Sequence, residues 1–523
     1  MLQPNPMPLS QLLPDMDLGE LGALRIRGLT LDSRQVIQGD LFVALVGHEQ
    51  NGRDFIPAAL AAGAVAVLME QAPSGVREHL EYGAPVIALA DLPNRVSELA
   101  GRFHRQPGQK VRVIGVTGTN GKTSCSLLLA QLLAQAEGSA GVMGTLGYGV
   151  LCAGKPMAAQ ISALTSTGLT TPDPIRAQAI MADFCGAGAG FATLEVSSHS
   201  LAQKRLAALP MEVGIFTNLS QDHLDYHGDM QSYGRAKAEL LRQPGLAWAL
   251  VNRDDPWALS LLEQLPDGVR GLSYSVGSLQ ADGSPQADLY ITERTQKGAE
   301  QQVKLATPWG RGQFTTALLG DINLSNLLAA VGAAGCLGLA LESVLASVSE
   351  LVPIPGRMES VVVDPEHQDI QVLVDYAHTP DALDKSLQAL RIEGDGRLWC
   401  LFGCGGDRDK TKRASMGRLA EQHSDYVIVT NDNPRSEDPA EIVAQILSGM
   451  ANEHQCLVIP DRAQAIDLAI AQARAGDRVL IAGKGHEDYQ IFARETQTFS
   501  DRDQACQSLR RRLERQQTRG KAS

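Results

Sequence analysis

Residues 115–123 carry the clearest chemical signal in the sequence. They read Gly-Val-Thr-Gly-Thr-Asn-Gly-Lys-Thr, overlap a β-branched run at 111–116 and precede a leucine-rich stretch at 124–136. This order predicts a strand, a glycine turn and a helix. Such a turn can surround phosphate oxygens with backbone amides, while Lys122 contacts the outer phosphates and the Thr123 hydroxyl ligates magnesium. The spacing departs from the general G-x4-GK pattern, but we favour a nucleotide loop over a tight turn without a ligand.

Two later strand ends offer further donors for a metal ion on a triphosphate. Glu195 lies near the end of the predicted strand 191–196, and His223 comes after the predicted strand 214–217. Taken alone, such a glutamate is more often an ion-pair partner and such a histidine a structural residue. Because both follow strands of the unit that contains the phosphate loop, we interpret them as functional.

The last third of the chain repeats a strand followed at once by a polar loop. Strands are predicted at 370–374, 398–402, 426–429 and 479–481. In open parallel sheets, ligands bind beyond the carboxyl ends of the strands, so these four loops should converge on one crevice. This third unit is therefore predicted to handle a substrate.

A chain of 523 residues is longer than one hydrophobic core normally supports, which predicts about three domains. We place them at 1–109, 110–352 and 353–523. A helix predicted around 323–339 closes the second domain, and residues 353–356 form a hinge. With 44% hydrophobic and 20% charged residues, the composition is typical of a soluble α/β protein.

Charge and cysteine content exclude several classes of function. A net charge of -13 argues against general nucleic-acid binding, which needs a basic surface. The eight cysteines lack metal-ligand spacing and no signal peptide is recognisable, so a cytoplasmic protein is predicted. Apolar runs fall short of the roughly 20 residues of a membrane-spanning helix. The basic tail at 510–521 is interpreted as the solvated end of a last helix.

An ordered set of motifs along nearly the whole chain resembles the Mur ligase family. The set comprises Asp32-Ser-Arg34, Gly39-Asp-Leu-Phe-Val-Ala44, Thr117-Gly-Thr-Asn-Gly-Lys-Thr123, Thr170-Thr-Pro172, Glu195-Val-Ser-Ser-His199, Asp222-His-Leu-Asp225, Asp375-Tyr-Ala-His378, Asp432-Asn-Pro-Arg435 and Gly483-Lys-Gly-His-Glu487. Each motif alone is weak, but their order is specific.

The resemblance implies an α/β ligase with a small N-terminal domain for a uridine nucleotide, a central P-loop ATPase sheet and a Rossmann-like C-terminal domain for an amino acid. The implied substrates are ATP, UDP-N-acetylmuramoyl-L-alanyl-D-glutamate and meso-diaminopimelate. The implied cofactors are Mg²⁺, with two ions expected, and a CO₂-derived carbamate. The resemblance places the chain in peptidoglycan synthesis, and with it in cell shape and cell division; we expect a monomer without a membrane span.

The resemblance also implies roles for particular residues. For ATP they are Gly118, Thr119, Asn120, Gly121, Lys122, Thr123, Ser124, Asn326, Arg357, Asp375 and His378. For the UDP-linked substrate they are Ser33, His48, Glu49, Gln50, Thr170, Thr171, Ser197, Gln203 and Arg205, with Leu169 standing where relatives have an asparagine. Catalysis is assigned to Lys122, Glu195, His223 and Lys237, and metal binding to Thr123, Glu195, His223 and the carbamate of Lys237.

Lys237 matches the family lysine that CO₂ carbamylates. An ammonium cannot ligate a cation, whereas a carbamate converts the same side chain into an oxygen donor of opposite charge. Without the resemblance, Lys237 would be interpreted as an ordinary helix lysine.

Diaminopimelate resembles lysine with an additional distal carboxylate, so a site that prefers it must offer a cation. Arg435 can do so with a bidentate fork, assisted by Arg408. Asn433 would supply hydrogen bonds, and Glu487 with the Gly483 carbonyl would receive the distal ammonium. The diaminopimelate residues implied by the resemblance are Arg408, Asp432, Asn433, Pro434, Arg435, Gly483 and Glu487.

Three alternatives remain open at the level of sequence. A P-loop NTPase that uses hydrolysis as a switch would turn over ATP without an amino acid. A ligase of the same build could use lysine, or glutamate on folate, as its second substrate. A nucleotide-binding regulator without catalysis would not need Lys122, Glu195, His223 and Lys237 together.

Overall fold

Three sheets in chain order organise the molecule. The structure is a computed structural model that describes residues 5–47, 50–71, 78–79, 84–277, 287–297, 300–318, 320–392, 396–452, 456–493 and 495–522. Each sheet combines with helices into an α/β unit, as the sequence predicts. No helix in these residues is both long and apolar enough to cross a membrane.

The N-terminal unit is a small sheet covered by helices. Its strands lie in the spatial order Gly28–Thr30, Asp40–Ala44, Ala66–Gln71, Val86–Ala90 and Glu78–His79. Strand Asp40–Ala44 is buried along its whole length, which is why it reads as an apolar run instead of an alternating one. Helix Leu92–Phe103 packs on this sheet through Val96, Leu99 and Phe103, which share one helical face. A separate pair joins Met7–Pro8 to Arg25–Ile26.

The central sheet places the phosphate-loop strand among its inner parallel strands. Its order is Gly147–Cys152, Ser139–Gly144, Phe191–Glu195, Arg112–Thr117, Val213–Phe216, Trp248–Asn252, Arg270–Ser275, Leu289–Lys297, Glu300–Thr307 and Gly310–Thr316. Arg112–Thr117 pairs in parallel with Phe191–Glu195 on one side and Val213–Phe216 on the other. The residues after all three strands therefore meet at one edge of the sheet. The last three strands form an antiparallel extension that the sequence did not predict.

The helix predicted around 323–339 is Gly320–Cys336 in the structure and ends three residues early. The amide of Gly338 donates to Gly335, and its φ of +86° turns the chain away from the helix axis. Helix Gly320–Cys336 packs against helix Lys122–Glu137, with both largely buried. Their continuous apolar character hides the one-sided pattern of a surface helix.

The C-terminal sheet orders its strands as Glu359–Ser360, Gln371–Asp375, Arg478–Ala482, Leu398–Phe402, Tyr426–Val429 and Cys456–Val458. The four predicted strands are adjacent and parallel, so the loops after them share one edge, as expected. A hairpin of Tyr489–Phe492 and Glu495–Thr498 follows. The basic tail is helical, in Asp501–Ala522, but Arg511 and Arg512 bind Asp467 and Asp369. Arg511 stays 45% exposed, as predicted for a solvated helix end, whereas Arg512 is 11% exposed and departs from that prediction.

The other α-helices are Leu9–Leu12, Ile56–Ala61, Met157–Ser162, Pro174–Gly186, Ser198–Ala202, Leu224–His227, Met230–Ala238, Pro256–Ser260, Leu341–Ala346, Pro380–Ile392, Lys412–His423, Pro439–Leu447 and Arg462–Gln472. Short 3₁₀ turns occupy Gly19–Ala23, Ser33–Gln35, Gly52–Phe55, Pro107–Gln109, Glu239–Arg242, Leu261–Gln264 and Ser347–Glu350.

Polar contacts join the central and C-terminal units beside the phosphate loop. Asn120 Nδ2 donates to Asp381 Oδ2 over 2.9 Å, and Gln221 Nε2 donates to Thr411 Oγ1 over 2.6 Å. These contacts bring the loop edges of the two sheets together. The domain boundaries at 109/110 and 352/353 stay predictions.

Candidate active site

The predicted phosphate loop has the expected build of strand, turn and helix. Strand Arg112–Thr117 runs into Gly118, and helix Lys122–Glu137 begins four residues later. The φ angle of Gly118 is +147°, and a Cβ atom there would lie 1.8 Å from Thr217 Oγ1. Glycine is required at this position for both conformation and space.

Lys122 is folded back over this loop. Its Nζ donates to the carbonyl oxygens of Gly118 over 2.9 Å and Thr119 over 2.8 Å. Burial lowers the pKa of Lys122, while the nearby carboxylates of Glu195 and Asp222 oppose that shift. The ammonium is thus held by loop carbonyls at the helix N-terminus, where outer phosphates bind in loops of this type.

Glu195 faces the start of the loop helix from the neighbouring strand. Thr123 Oγ1 donates to Glu195 Oε2 over 2.9 Å. Thr145 donates to the same carboxylate through its amide, over 2.7 Å, and its hydroxyl, over 3.1 Å. The side chain is only 2% exposed. A buried carboxylate touching the threonine hydroxyl of a phosphate loop is the donor pair that a hard cation requires.

His223 lies in the loop that follows strand Val213–Phe216. Its backbone is in the left-handed region, with φ +54°. Burial lowers its pKa to about 3, although the adjacent Asp222 favours the charged form. The imidazole is therefore neutral near pH 7 and keeps a lone pair for a ligand. Non-glycine residues in this conformation cluster at functional sites.

Asp222, in the same loop as His223, connects the central unit with the C-terminal unit. Its carboxylate lies 3.7 Å from His378 Nε2 and 3.8 Å from Lys412 Nζ. Burial alone would raise the pKa of Asp222, but His378, His223 and Lys412 hold it well below its usual value. The sequence motif contained Asp222 without a role; its neighbours come from distant loops, so no local pattern could identify it.

Lys237 is buried beneath the phosphate loop. Its Nζ donates to the Gly118 carbonyl over 2.7 Å and lies 4.4 Å from the ring centroid of Tyr233. Burial, reinforced by the charge of Lys122, holds the pKa of Lys237 well below its usual value. Carbamylation requires the neutral amine, so this environment fits the modification that the resemblance implies.

No three His, Cys, Asp or Glu side chains in the described ranges form a group that could hold a metal ion. The predicted metal set contains only Glu195 and His223 from these residue types. It therefore depends on Thr123, on a modified Lys237 and on phosphate oxygens of the nucleotide.

The predicted muramoyl-peptide residues form one connected cluster beside Glu195. Thr171 Oγ1 donates to the Glu195 carbonyl over 2.7 Å and accepts from the Ser197 amide over 3.1 Å. Arg205 donates to the Thr171 carbonyl over 2.6 Å and to Gln203 Oε1 over 2.7 Å. Burial lowers the pKa of Arg205. The guanidinium is positioned by these acceptors beside the loop.

Thr170 is linked to the same cluster, because Thr145 Oγ1 donates to its hydroxyl over 3.1 Å. Leu169 is 50% exposed next to it. In the N-terminal unit, Ser33 begins the 3₁₀ turn Ser33–Gln35, and Gln50 accepts from the Gly47 amide. His48 and Glu49 lie outside the described residues.

Asn326 and Arg357 approach the phosphate loop from the opposite side. Asn326 Oδ1 lies beside Gly121, whereas its buried Nδ2 has no hydrogen-bond partner among the described residues. An unpaired buried donor at this position is available to a ligand. Arg357 Nη2 donates to Thr123 Oγ1 over 3.2 Å, and its guanidinium stacks 4.3 Å from the Tyr376 ring centroid.

Asp375 and His378 shape the loop after the first parallel strand of the C-terminal sheet. Asp375 accepts from the amides of Met358 and Tyr376 and from Ser386 Oγ, and its burial raises its pKa. His378 Nδ1 pairs with the Tyr376 carbonyl over 2.8 Å. Asp375 therefore fixes the backbone, while His378 reaches the central unit.

Arg435 lies in the loop after strand Tyr426–Val429 with φ +54°. Its amide donates to Ile491 and its carbonyl accepts from Ala493, which ties the loop to the hairpin. Nη1 donates to the Gly406 carbonyl over 2.8 Å. Arg408 also approaches Gly405, so both arginines lie near one backbone position.

Asn433 and Glu487 already contact each other. Asn433 Nδ2 donates to Glu487 Oε2 over 2.9 Å, and Asn433 Oδ1 accepts from the Ile491 amide over 3.0 Å. Asp432 is also buried, beside Gly483. Pro434 is buried in the same turn, where its carbonyl approaches Gly406.

Ring contacts connect the phosphate side with the amino-acid side. Arg357 contacts Thr123 and stacks on Tyr376, and the Tyr376 ring lies 5.3 Å from the ring of His486, the residue before Glu487. Tyr376 and His486 were not predicted to have roles. They are recognised only once the loops are folded together.

Three family models match successive stretches of this chain. The Mur ligase family catalytic domain matches residues 25–104, the Mur ligase middle domain 116–334, and the Mur ligase glutamate ligase domain 356–485. The chain belongs to the Mur ligase family, whose members are ATP-dependent.

Two relatives carry the name UDP-N-acetylmuramoyl-L-alanyl-D-glutamate–2,6-diaminopimelate ligase. The protein from Coxiella burnetii (strain RSA 493 / Nine Mile phase I) is 42% identical over 502 residues, which cover 96% of this chain and 99% of that protein. The protein from Ectopseudomonas mendocina (strain ymp) is 46% identical over 504 residues, covering 96% and 98%.

Two solved structures are similar to this chain. A structure of a UDP-N-acetylmuramoyl-L-alanyl-D-glutamate–2,6-diaminopimelate ligase is 34% identical, with a TM-score of 0.66 and coverage of 97% of this chain and 99% of that one. The MurF ligase from Thermotoga maritima in complex with ADP is 19% identical, with a TM-score of 0.61 and coverage of 94% and 98%. The second likeness concerns the fold alone.

Proposed function

We propose that this chain is the ligase that joins meso-diaminopimelate to UDP-N-acetylmuramoyl-L-alanyl-D-glutamate at the expense of ATP. The observation that carries the proposal is the contact path from Thr123 through Arg357 and Tyr376 to the loop of Glu487. It joins a phosphate cradle to a pocket that contains both a guanidinium and a carboxylate. A diamino diacid presents the complementary charges.

Amide formation from a carboxylate needs activation because the carboxylate oxygen is a poor leaving group. In the proposed reaction, the side-chain carboxylate of the D-glutamyl residue attacks the γ-phosphorus of ATP, giving an acyl phosphate and ADP. The amine of diaminopimelate then attacks the acyl carbon, phosphate departs, and the amine proton passes to solvent or a nearby base. No covalent enzyme nucleophile is needed.

Both steps bring negative charge together, so the chain acts by positioning and by electrostatic stabilisation. Lys122 meets the outer phosphates, and Arg357 reaches the same loop from the C-terminal unit. Arg205, held by Thr171 and Gln203, lies on the side where the muramoyl peptide would enter. Closure of the C-terminal unit onto the central unit would bring Lys122, Arg357 and Arg205 around the reacting groups.

Mg²⁺, when bound, would neutralise phosphate charge and orient the triphosphate. Thr123 and Glu195 fit one such ion, because a hydroxyl and a carboxylate already meet there. The neutral His223 and a carbamylated Lys237 are proposed for the second. Lys237 fits carbamylation because its pKa is lowered by burial.

The amino acid is proposed to bind between Arg435 and Glu487. Arg435 uses its guanidinium for the distal carboxylate, with Arg408 also near Gly405, and Glu487 receives the distal ammonium. Lysine lacks the distal carboxylate and would leave Arg435 without a partner. A cytoplasmic monomer, as the sequence predicts, is part of this proposal.

The proposal is tested by phosphate release from ATP with purified UDP-muramoyl dipeptide. Diaminopimelate, lysine or no amino acid is supplied in parallel, and the product is identified by mass. We expect release with diaminopimelate and at least about tenfold less with lysine. Release that is equal without an amino acid would favour a nucleotide switch, and equal use of lysine would contradict the assigned specificity.

A further inference from the structure

Lys484 is a fully buried lysine that the reaction proposed above does not use. Its side chain is 0% exposed and follows strand Arg478–Ala482 in the loop at 483–488. A buried ammonium is costly unless it is paired, so its partners should explain its presence. Three of its neighbours belong to the predicted diaminopimelate pocket.

The partners of Lys484 come from two loops. Nζ lies 3.2 Å from Glu487 Oε2 in its own loop, and it reaches Asn433 Oδ1 over 3.3 Å and Asp432 Oδ1 over 3.8 Å in the other. The loop of Asp432 and Asn433 also presents Arg435. Lys484 therefore connects the half of the pocket that recognises an anion with the half that recognises a cation.

The contacts on Glu487 are asymmetric. Lys484 Nζ and Asn433 Nδ2 both bind Oε2, whereas no hydrogen bond from the described part of the chain reaches Oε1. A carboxylate held by one oxygen keeps its other oxygen available for a ligand. The arrangement thus orients Glu487 Oε1 as the acceptor for an ammonium.

The ion pairs support the same conclusion. Lys484 is the ammonium between two carboxylates, Asp432 at 3.8 Å and Glu487 at 3.2 Å, and both carboxylates are largely buried. Without Lys484, the two carboxylates would lose the cation that they share, which is costly at a buried site.

We propose that Lys484 is a positioning residue for the second substrate: it binds Glu487 and the loop of Asp432 and Asn433, and thereby fixes the spacing between the ammonium acceptor Glu487 and the guanidinium of Arg435. The pocket would then select a diamino diacid in which the distance between the distal ammonium and the distal carboxylate matches the spacing of Glu487 and Arg435. This inference rests on the proposed function and adds a residue to it.

Other charged and titratable groups also face Glu487, so the effect of Lys484 has to be separated from theirs. Tyr376, Arg462 and Tyr489 interact electrostatically with Glu487. Asp432 and Arg435 act on Tyr489 from the neighbouring loop, and His486 and Asp488 adjoin Glu487 in the chain. Arg462 is committed to a buried pair with Asp501 at 2.6 Å. It is therefore not placed to replace Lys484.

The test compares full-length wild type with Lys484→Met and Lys484→Arg in steady-state kinetics with each substrate varied in turn. We expect Lys484→Met to raise the KM for diaminopimelate by at least about tenfold while the KM for ATP changes less than about twofold. Lys484→Arg keeps the positive charge and should restore most of the affinity for diaminopimelate, seen as a KM close to that of wild type.

Glu487→Gln and the double variant Lys484→Met/Glu487→Gln test whether Lys484 acts through Glu487. We expect Glu487→Gln alone to raise the KM for diaminopimelate by at least about tenfold, and the double variant to cost clearly less than the product of the single effects. A double variant whose KM for diaminopimelate rises by the full product of the two single effects would overturn the inference. Glu487→Gln also replaces Lys484→Met if that variant does not fold, since an unchanged KM for diaminopimelate in Glu487→Gln contradicts the proposal by itself.

Lys304→Met is the matched control, because Lys304 is an exposed lysine paired with Glu293 at 2.7 Å on the antiparallel extension. It should leave all three KM values unchanged. If wild type shows no diaminopimelate-dependent phosphate release, the proposed function fails. If wild type is active but Lys484→Met has an unchanged KM for diaminopimelate, only the role of Lys484 fails.

Discussion

The phosphate side and the amino-acid side of the crevice hold their cations in different ways. Lys122 and Lys237 both donate to the Gly118 carbonyl, and burial lowers the pKa of each. Lys484 and Arg413 instead bind the carboxylates of Glu487 and Glu437.

A cation held by carbonyls, such as Lys122, keeps its charge for a ligand, whereas cations paired with carboxylates are neutralised before a ligand arrives. On the amino-acid side, Arg435 donates to the Gly406 carbonyl and so keeps its charge too. Lys237 is not counted as a cation in the proposed mechanism, because it reacts as the neutral amine. The phosphate side is therefore prepared for a highly anionic ligand such as a triphosphate. The amino-acid side is prepared to select by the position of a few charges. Substitutions on the phosphate side should therefore lower kcat whichever amino acid is supplied. Substitutions on the amino-acid side should instead raise the KM for diaminopimelate.

The largest effect is expected for Lys122→Ala. Loss of the cation that meets the outer phosphates should reduce kcat by about a thousandfold, whichever amino acid is supplied. Phosphate release measures the effect, and the thermal midpoint checks the fold. A loss confined to the KM for diaminopimelate would break the distinction between the two sides.

Lys237→Ala should be the next most severe, with kcat lowered by about a hundredfold. A short-chain carboxylate such as acetate or propionate can occupy the vacated space as an oxygen donor and should restore part of the activity. Activity is measured with and without the added carboxylate, using Lys304→Ala as control. Full activity without any addition would remove the carbamate from the proposed mechanism.

Arg435→Ala should affect the amino-acid side alone. A charged hydrogen bond is worth about 1.5–3 kcal/mol, so the KM for diaminopimelate should rise roughly 10- to 100-fold. The affinity for an ATP analogue, measured by calorimetry, should stay the same. An unchanged KM for diaminopimelate would defeat the assignment of Arg435.

The smallest effect is a pH dependence of stability on the amino-acid side. Arg413, which is 0% exposed, binds Glu437 and lowers the pKa of that carboxyl to about 2. Since the folded-state pKa is depressed from 4.5, this pair stabilises the fold fully above about pH 4.5, and its contribution is lost as the pH falls towards 2.

Hydrogen exchange of residues 398–447 at pH 6 and pH 3 measures this loss, with residues 112–137 as the internal reference. In Glu437→Gln, the amides of residues 398–447 should exchange faster than in wild type already at pH 6. The difference in exchange protection between pH 6 and pH 3 should therefore be smaller than in wild type. Equal acceleration of both segments in wild type would show that the two sides do not differ in this respect.

Local sequence order made the phosphate side predictable. Strand Arg112–Thr117, the glycine turn and helix Lys122–Glu137 are contiguous, so short-range pattern fixes their arrangement. The parallel strands of the C-terminal sheet were also predictable, because buried strands read as apolar runs. The antiparallel extension at Leu289–Thr316 was missed, since its strands alternate with polar residues and carry no motif.

Particular side chains were harder to predict than the elements that carry them. Asp222 lies within the motif Asp222-His-Leu-Asp225, but its contacts with His378 and Lys412 join residues more than a hundred positions apart. Lys484 was likewise within a quoted motif, yet its role depends on Asn433 and Glu487 meeting around it. The assigned roles of Arg435, Glu487 and Lys237 stay predictions until the substitutions are measured.

The sequence by itself determined the family, the order of the three units and the contiguous phosphate loop, because these depend on residue types at fixed short spacing. Only the tertiary structure decided which loop residues meet, which lysines are buried, and which charges are paired. The physical reason is that burial and pairing depend on neighbours brought together by the sheets, and these neighbours leave no periodic trace in the chain.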